Sequence, residues 1–252
     1  MNSLKESIKN TFRKRFSYAT CRGFYVLVTE FFHINILKTV YFNLRALPLS
    51  QAYKLPFIIG YHVRIKKIGK IKIECPVNLA MISLGVINIP HWEDRSEGIL
   101  IFNNHGSIIF KGMVKFYPAS KLFVEGEVVF SGNNNIGSRT LMVSYKNIQI
   151  GYNTGCSWDC EITDTNFHPL KDIVGDRFVK QEGKIVIGDN VFIGNHTNIA
   201  KNTNIPNGCV ISSWSNVSGN FKREGDNLLI SGNPARIIDK GYQMYDFCQF
   251  KI

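Results

Sequence analysis

The residues best suited to chemistry sit in one short run, Asp164-Thr165-Asn166-Phe167-His168-Pro169-Leu170. An imidazole is the side chain best suited to accept a proton near neutral pH, which is what a general base must do, and His168 supplies one. Such a base works best when a second group fixes its tautomer, and the carboxylates of Asp159 and Asp164 are near enough in sequence to do so. His196 falls at a corner of a repeating pattern and could line a groove. His105 lies further upstream, and His33, His62 and His91 fall outside the regular part. The six cysteines (Cys21, Cys75, Cys156, Cys160, Cys209, Cys248) show no CxxC spacing and no partnered histidines. No metal site is expected from them, and they read as buried thiols of a reducing compartment, which favours the cytoplasm.

What must hold His168 in place follows from a six-residue period. Ile187, Ile193, Ile199, Ile205, Ile211 and Val217 recur at every sixth position, separated by small or polar residues such as Gly188, Asp189, Asn190, Gly194 and Asn195. A helix needs apolar spacings of three and four, and an ordinary strand alternates, so neither fits. One inward aliphatic residue and two or more turn formers per six residues describe a parallel β-helix, in which each unit is a short strand plus a corner. Stacking buries the aliphatic column that one unit could not bury alone. Upstream, Val124, Phe130, Ile136, Met142 and Ile148 form one series, and Ile150, Cys156 and Ile162 a second, shifted by two positions. Ile108 and Val114 extend the pattern towards residue 100. The count fails between Ile162 and Ile187, and His168 lies in that gap. A long insertion in so periodic a scaffold is a usual place for function.

Three segments are expected: a basic helical region over 1–60, the β-helix over 61–222 with an extruded loop at 164–184, and a C-terminal tail over 223–252. Residues 1–72 hold fourteen Lys and Arg against Glu6 and Glu30, whereas 73–252 hold sixteen basic and seventeen acidic residues. The charge is therefore local, and it implies an anionic partner or a solvated helical face. Leu4, Ile8, Phe12 and Phe16 recur at four-residue spacing among basic residues, the pattern of an amphipathic helix at a lipid surface or against another protein face. No zinc-finger, homeodomain, RRM or KH pattern is present, so nucleic acid is not the expected partner. The N-terminal residues lack a short apolar core followed by a small-residue cleavage site, so no secretory signal is expected. The apolar stretch Gly23 to Leu44 is interrupted by Glu30, His33, Asn35 and Lys38, which makes it a poor expected membrane span.

Four motifs, in this order, carry a family likeness: Ile150-Gly151-Tyr152-Asn153, Asn166-Phe167-His168-Pro169, Ile187-Gly188-Asp189-Asn190-Val191-Phe192-Ile193-Gly194, and Ser231-Gly232-Asn233-Pro234-Ala235-Arg236. Over roughly residues 101–240 the chain resembles the hexapeptide-repeat acyltransferases, particularly maltose and galactoside O-acetyltransferases and the capsular or lipopolysaccharide O-acetyltransferases. That resemblance implies a left-handed coil, an exception to the right-handed crossover rule. It also implies a homotrimer with sites between neighbouring prisms, and acetyl transfer from acetyl-CoA to a sugar hydroxyl in capsular or lipopolysaccharide biosynthesis. It places His168 where the family keeps its catalytic base; the nearby Asp164, or Asp159, would orient the ring, a role that in several relatives falls to a backbone carbonyl or a glutamate. Asn195, Ser213, Ser218 and Arg236 would contact CoA. The chain departs from the pattern twice: a further basic position falls on Asp239, for which Lys240 or Lys222 could stand in, and the acceptor-reading asparagine one coil upstream falls near Gly137 or Ser138. Two rival readings remain, N-acetylation of an amino-sugar nucleotide and a non-catalytic β-helix scaffold. The cationic residues 1–45 suggest peripheral contact with an anionic membrane at its inner face.

Overall fold

The computed structural model describes residues 31–86 and 99–243. The amphipathic pattern of Leu4 to Phe16 lies outside them. From residue 57 onward the chain winds as stacked three-strand coils. The first holds β1 (Phe57–Ile59), β2 (Val63–Lys67) and β3 (Lys70–Ile73), and the second β4 (Ile82–Leu84), β5 (Leu100–Asn104) and β6 (Ser107–Phe110). The third is β7 (Val114–Phe116), β8 (Lys121–Val124) and β9 (Glu127–Phe130), and the fourth β10 (Asn134–Ile136), β11 (Leu141–Ser144) and β12 (Asn147–Ile150). The fifth has β13 (Gly155–Cys156) and β14 (Glu161–Thr163). A short hairpin of β15 (Leu170–Asp172) and β16 (Arg177–Val179) then intervenes before β17 (Ile185–Ile187). The sixth is β18 (Phe192–Ile193), β19 (Asn198–Ile199) and β20 (Asn204–Ile205). The last has β21 (Val210–Ile211) and β22 (Asn216–Val217), and β23 (Leu228–Gly232) and β24 (Ala235–Lys240) close the end.

Corresponding strands of successive coils pair in parallel, giving three sheets of nine, seven and six strands that form the faces of a prism. The architecture is a left-handed parallel β-helix. Register decides the interior: Ile136 stands on Cys156, Cys156 on Ile193, and Ile193 on Ile211, so each inward residue packs on its counterpart one coil away. In the wider coils the column is aromatic. Phe57, Phe110 and Phe130 follow one another at 5.5 and 5.6 Å, and Phe116 meets Phe130 edge-on at 5.4 Å.

The two upstream series are one ladder. Phe130 pairs with Ile150 and Met142 with Ile162, a coil of 20 residues, whereas Ile187 pairs with Ile205 and Ile193 with Ile211, a coil of 18. Third-face strands of the long coils carry two inward residues, Ile148 and Ile150 for example, and this produces the two-residue shift. Two boundaries also differ from expectation. Strand structure begins at Phe57, inside the segment expected to be helical, because a three-residue buried run carries no period that could tell strand from helix. The extruded loop contains a hairpin. The tail contributes β23, which extends the first face beyond residue 222, and β24, which folds back antiparallel on it.

Helix α1 (Ile36–Ala46) lies across the open N-terminal end, followed by the single turn α2 (Leu49–Ala52). Asn35 caps α1 by accepting from the Lys38 N–H at 2.9 Å. Phe42 plugs the bore, 4.9 Å from Phe57 and 5.3 Å from Phe102. The free edge of β1 is satisfied by α1 side chains: Thr39 Oγ1 accepts from Ile59 N at 3.0 Å, and Asn43 accepts from Phe57 N and donates to Phe57 O. That covers an edge which would otherwise template pairing with another chain.

Phe130 is fully buried among Phe110 and Phe116. Phe130→Ala should lower the unfolding free energy by about 3–5 kcal/mol, measured by denaturant titration. A loss below about 1 kcal/mol would show that the aromatic column is not tightly packed.

Candidate active site

Thr163 ends β14 on the second face, and the inserted segment leaves the prism there, at the edge between the second and third faces. Its root is clamped. Asp164 is fully buried, and its carboxylate accepts from Ser144 Oγ at 3.0 Å and from the backbone N–H groups of Tyr145, Lys146 and Asn147 at 2.7, 2.9 and 2.8 Å. The Asp164 carbonyl accepts from Gly183 N at 2.8 Å, Thr165 bridges to Glu182, and Asn166 N donates to Gln181 O at 3.0 Å. Phe167 adopts a left-handed backbone (φ 61°) and meets Tyr145 edge-on at 6.0 Å, and Gln181 donates to its carbonyl at 2.6 Å.

This clamp presents His168, which is exposed, with its backbone N–H bonded to Asn166 O at 2.7 Å. The expectation that Asp164 orients the imidazole is not met. Its carboxylate is spent inside the prism on the corner of the coil below, and the structure joins it to His168 by no hydrogen bond among the described residues. Beyond His168 the hairpin of β15 and β16 carries ion pairs Lys171–Asp176 and Arg177–Asp172. Its apolar residues Ile173, Val174 and Phe178 are exposed, Val174 completely.

A second group of side chains occupies the edge between the first and second faces. Ala119, Arg139, Asp159, His196 and Trp214 stack there in successive coils, all with φ between 55° and 63°. The equivalent turns between the third and first faces use Asn133, Asn153, Asn190 and Asn227, which tolerate this region better. Arg139 and Asp159 form a tight, partly buried ion pair, and the Asp159 hydrogen bond keeps the guanidinium firmly charged. His196 Nε2 lies 3.7 Å from Asp159 Oδ2, and its ring stacks on Trp214 at 4.1 Å and 15°. Sequence reasoning gave His196 a groove-lining position only. Its partnership with Asp159 and Trp214 depends on coil register, and the insertion between residues 162 and 187 hides that register in the linear spacing.

The residues expected to contact CoA divide between places. Asn195 and Ser213 are neighbours on the first–second edge, with Ser213 Oγ donating to Asn195 Oδ1 at 2.5 Å. A Cβ on Gly194 would come within 2.5 Å of Ser213 N, so glycine is needed for that approach. Ser218 follows β22 and is exposed on the second–third edge, the edge that bears the flap. Arg236 is exposed on β24, opposite Ser231. Of the basic residues that could replace the one lost at Asp239, Lys240 is paired with Glu224 at 3.7 Å, and Lys222 is exposed.

Among the described thiols, burial raises Cys75 and Cys209, and the hydrogen bond to Cys156 together with burial pushes Cys160 far up; the same hydrogen bond draws Cys156 down, but that thiol is buried in the column. Replacing Asp164 by Ala strands three half-buried corner N–H groups, and stability should fall by about 1–3 kcal/mol in denaturant titration. Unchanged stability with reduced turnover would instead restore an orienting role.

No protein-family model matches the chain. It is 33% identical over 197 residues, 78% of this chain and 84% of the relative, to a Klebsiella pneumoniae protein named "Uncharacterized 24.8 kDa protein in cps region". Over 126 residues, 47% of this chain and 63% of the relative, it is 29% identical to the "Putative lipopolysaccharide biosynthesis O-acetyl transferase WbbJ" of Escherichia coli (strain K12). Among solved structures it is similar to the polySia specific acetyltransferase NeuO, with 20% identity, 78% of this chain and 80% of that one covered, and a TM-score of 0.41. With 33% identity over 84% of that relative, the chain belongs to one family with the Klebsiella pneumoniae cps-region protein, and its three-faced coil carries the four motifs in order.

Proposed function

We propose that the chain transfers an acetyl group from acetyl-CoA to a sugar hydroxyl during capsular or lipopolysaccharide biosynthesis, working in the cytoplasm. The observation that carries this reading is an exposed imidazole, His168, on a flap whose root is clamped to a rigid prism. The relatives named for a cps region and for lipopolysaccharide O-acetyl transfer support the substrate class.

In this reading the acceptor hydroxyl oxygen attacks the thioester carbonyl while its proton passes to the His168 imidazole. The carbonyl becomes an oxyanion, and each backbone N–H aimed at it would lower the barrier by about 3–4 kcal/mol. Collapse expels the CoA sulfur, and the imidazolium returns its proton to that sulfur. Nothing on this chain needs to form a covalent intermediate. The small Asn195–Ser213 step would let the pantetheine arm lie against the backbone, with Ser218 lining the arm further along, and Arg236 would meet the nucleotide phosphates through charge-assisted hydrogen bonds.

These groups lie on different edges of one prism. His168 and Ser218 share the second–third edge, whereas Asn195 and Ser213 share the first–second edge. A single chain therefore does not assemble them, and a neighbouring copy that brings its own edge against the flap would. The exposed apolar tip of the hairpin gives that copy a surface to bury. A homotrimer, with one cleft per pair of prisms, satisfies both requirements.

His168→Ala should lower acetyl transfer to sugar acceptors at least about a hundredfold and leave the CoA-induced rise in Tm intact. CoA at about a hundred times its Kd should stabilise both proteins by about 2.7 kcal/mol. Near-normal turnover in the variant would remove His168 from the mechanism, and no CoA shift in either protein would favour the scaffold reading.

A further inference from the structure

The N-terminal end of the prism combines two features that packing within the described chain does not explain. The first is the outer side of the cap. Because Phe42 points into the bore, the opposite side of α1 faces away from the prism. That side presents Leu37, Tyr41 and Leu44, flanked by Phe32, Leu49 and Tyr53, and four of the six are more than 70% exposed (Phe32 87%, Leu37 84%, Leu49 74%, Tyr53 72%). A contiguous apolar surface of this kind is uncommon on a soluble protein unless something covers it.

The second is charge. Residues 31–73 contain no Asp or Glu, yet they carry Lys38, Arg45, Lys54, Arg64, Lys66, Lys67, Lys70 and Lys72. All but Lys38 are exposed, and none forms an ion pair with a carboxylate among the described residues. Lysines on β2 and β3 also guard the free edges of the first coil. That role accounts for part of the collar but not for Arg45 or Lys54, and not for the apolar face they surround.

We propose that this capped end docks on an anionic membrane surface. Leu37, Tyr41, Leu44 and their aromatic neighbours enter the interfacial layer, and the basic collar meets lipid phosphates. Apolar burial plus attraction to anionic lipid is what holds interfacial helices in place, and each Lys or Arg near the surface adds to the binding. Among the described residues no helix is long and apolar enough to cross a membrane. The charge pattern selects the lipid surface over a second copy of this chain, whose matching end would bring the same unpaired cations together.

Docking in this way fixes a height. His168 leaves the fifth coil, four strand spacings above the first, and at about 4.8 Å each the imidazole stands about 20 Å from the cap. Resting on the acyl-transfer reading, this selects as acceptor a glycan attached to a lipid anchor, modified at a sugar some distance from the bilayer.

The test uses the full chain and co-flotation with phosphatidylcholine vesicles, with and without phosphatidylglycerol. Wild type should float with the anionic vesicles only and be released by salt. Leu37→Asp/Leu44→Asp and, separately, Lys66→Glu/Lys67→Glu should each weaken flotation about tenfold or more, with Tm and solution mass unchanged. Absence of wild-type flotation, or equal flotation of both variants, overturns the proposal. A lower Tm or smaller mass for Leu37→Asp/Leu44→Asp also overturns it, since the face would then be packed against this chain or a second copy. Acetyl transfer to a soluble sugar should be the same in wild type and variants, while transfer to a vesicle-borne glycolipid should fall with flotation. If flotation behaves as expected but no protein transfers acetyl groups, the catalytic reading fails and the membrane surface stands.

Discussion

Every feature of this molecule depends on one constraint, the in-register parallel pairing of each coil with the next. A parallel ladder fixes which residue stands on which, so an inward side chain in one coil must find an inward counterpart one turn away. The buried column from Phe57 to Ile230 is the result. The same constraint stacks outward residues at the corners, and that is why Arg139, Asp159, His196 and Trp214 meet although they are far apart in the chain. Chemistry on the surface is thus arranged by periodicity in the core.

The flap is the one long described departure from that ladder, and it is not loose at its base. Asp164 occupies a position where the wider coils keep an inward residue, and it uses that position to satisfy the turn of the preceding coil. A buried carboxylate is costly unless it is hydrogen-bonded, and here four donors supply the compensation. The imidazole four residues later inherits its placement from the prism.

The sequence made the scaffold legible where the period was strict. From Ile187 to Val217 each expected inward residue is buried. Upstream, the 20-residue coils place two inward residues on one strand, so a rule built on sixes saw two broken series instead of one ladder. Strand β1 was illegible because its three residues, all buried, carry no alternation. At the site, the position of His168 on an extruded segment could be read directly, but the partners of Asp164 could not. Its donors lie in another coil, seventeen to twenty residues away, and only register brings them together. The His196–Trp214 stack was hidden for the same reason, and the split of the CoA residues over two edges requires knowing which face each strand joins.

The unequal coil lengths carry a consequence for how such a chain can vary. From β5 to β14 each turn consumes 20 residues, and from β17 to β22 each consumes 18. Insertion or loss of one residue within a strand would turn the later residues of that strand off the column, whereas gain or loss of a whole turn would leave all contacts intact apart from one seam. The height of the prism can therefore drift only in whole rungs, and any spacing set by that height changes in steps rather than continuously.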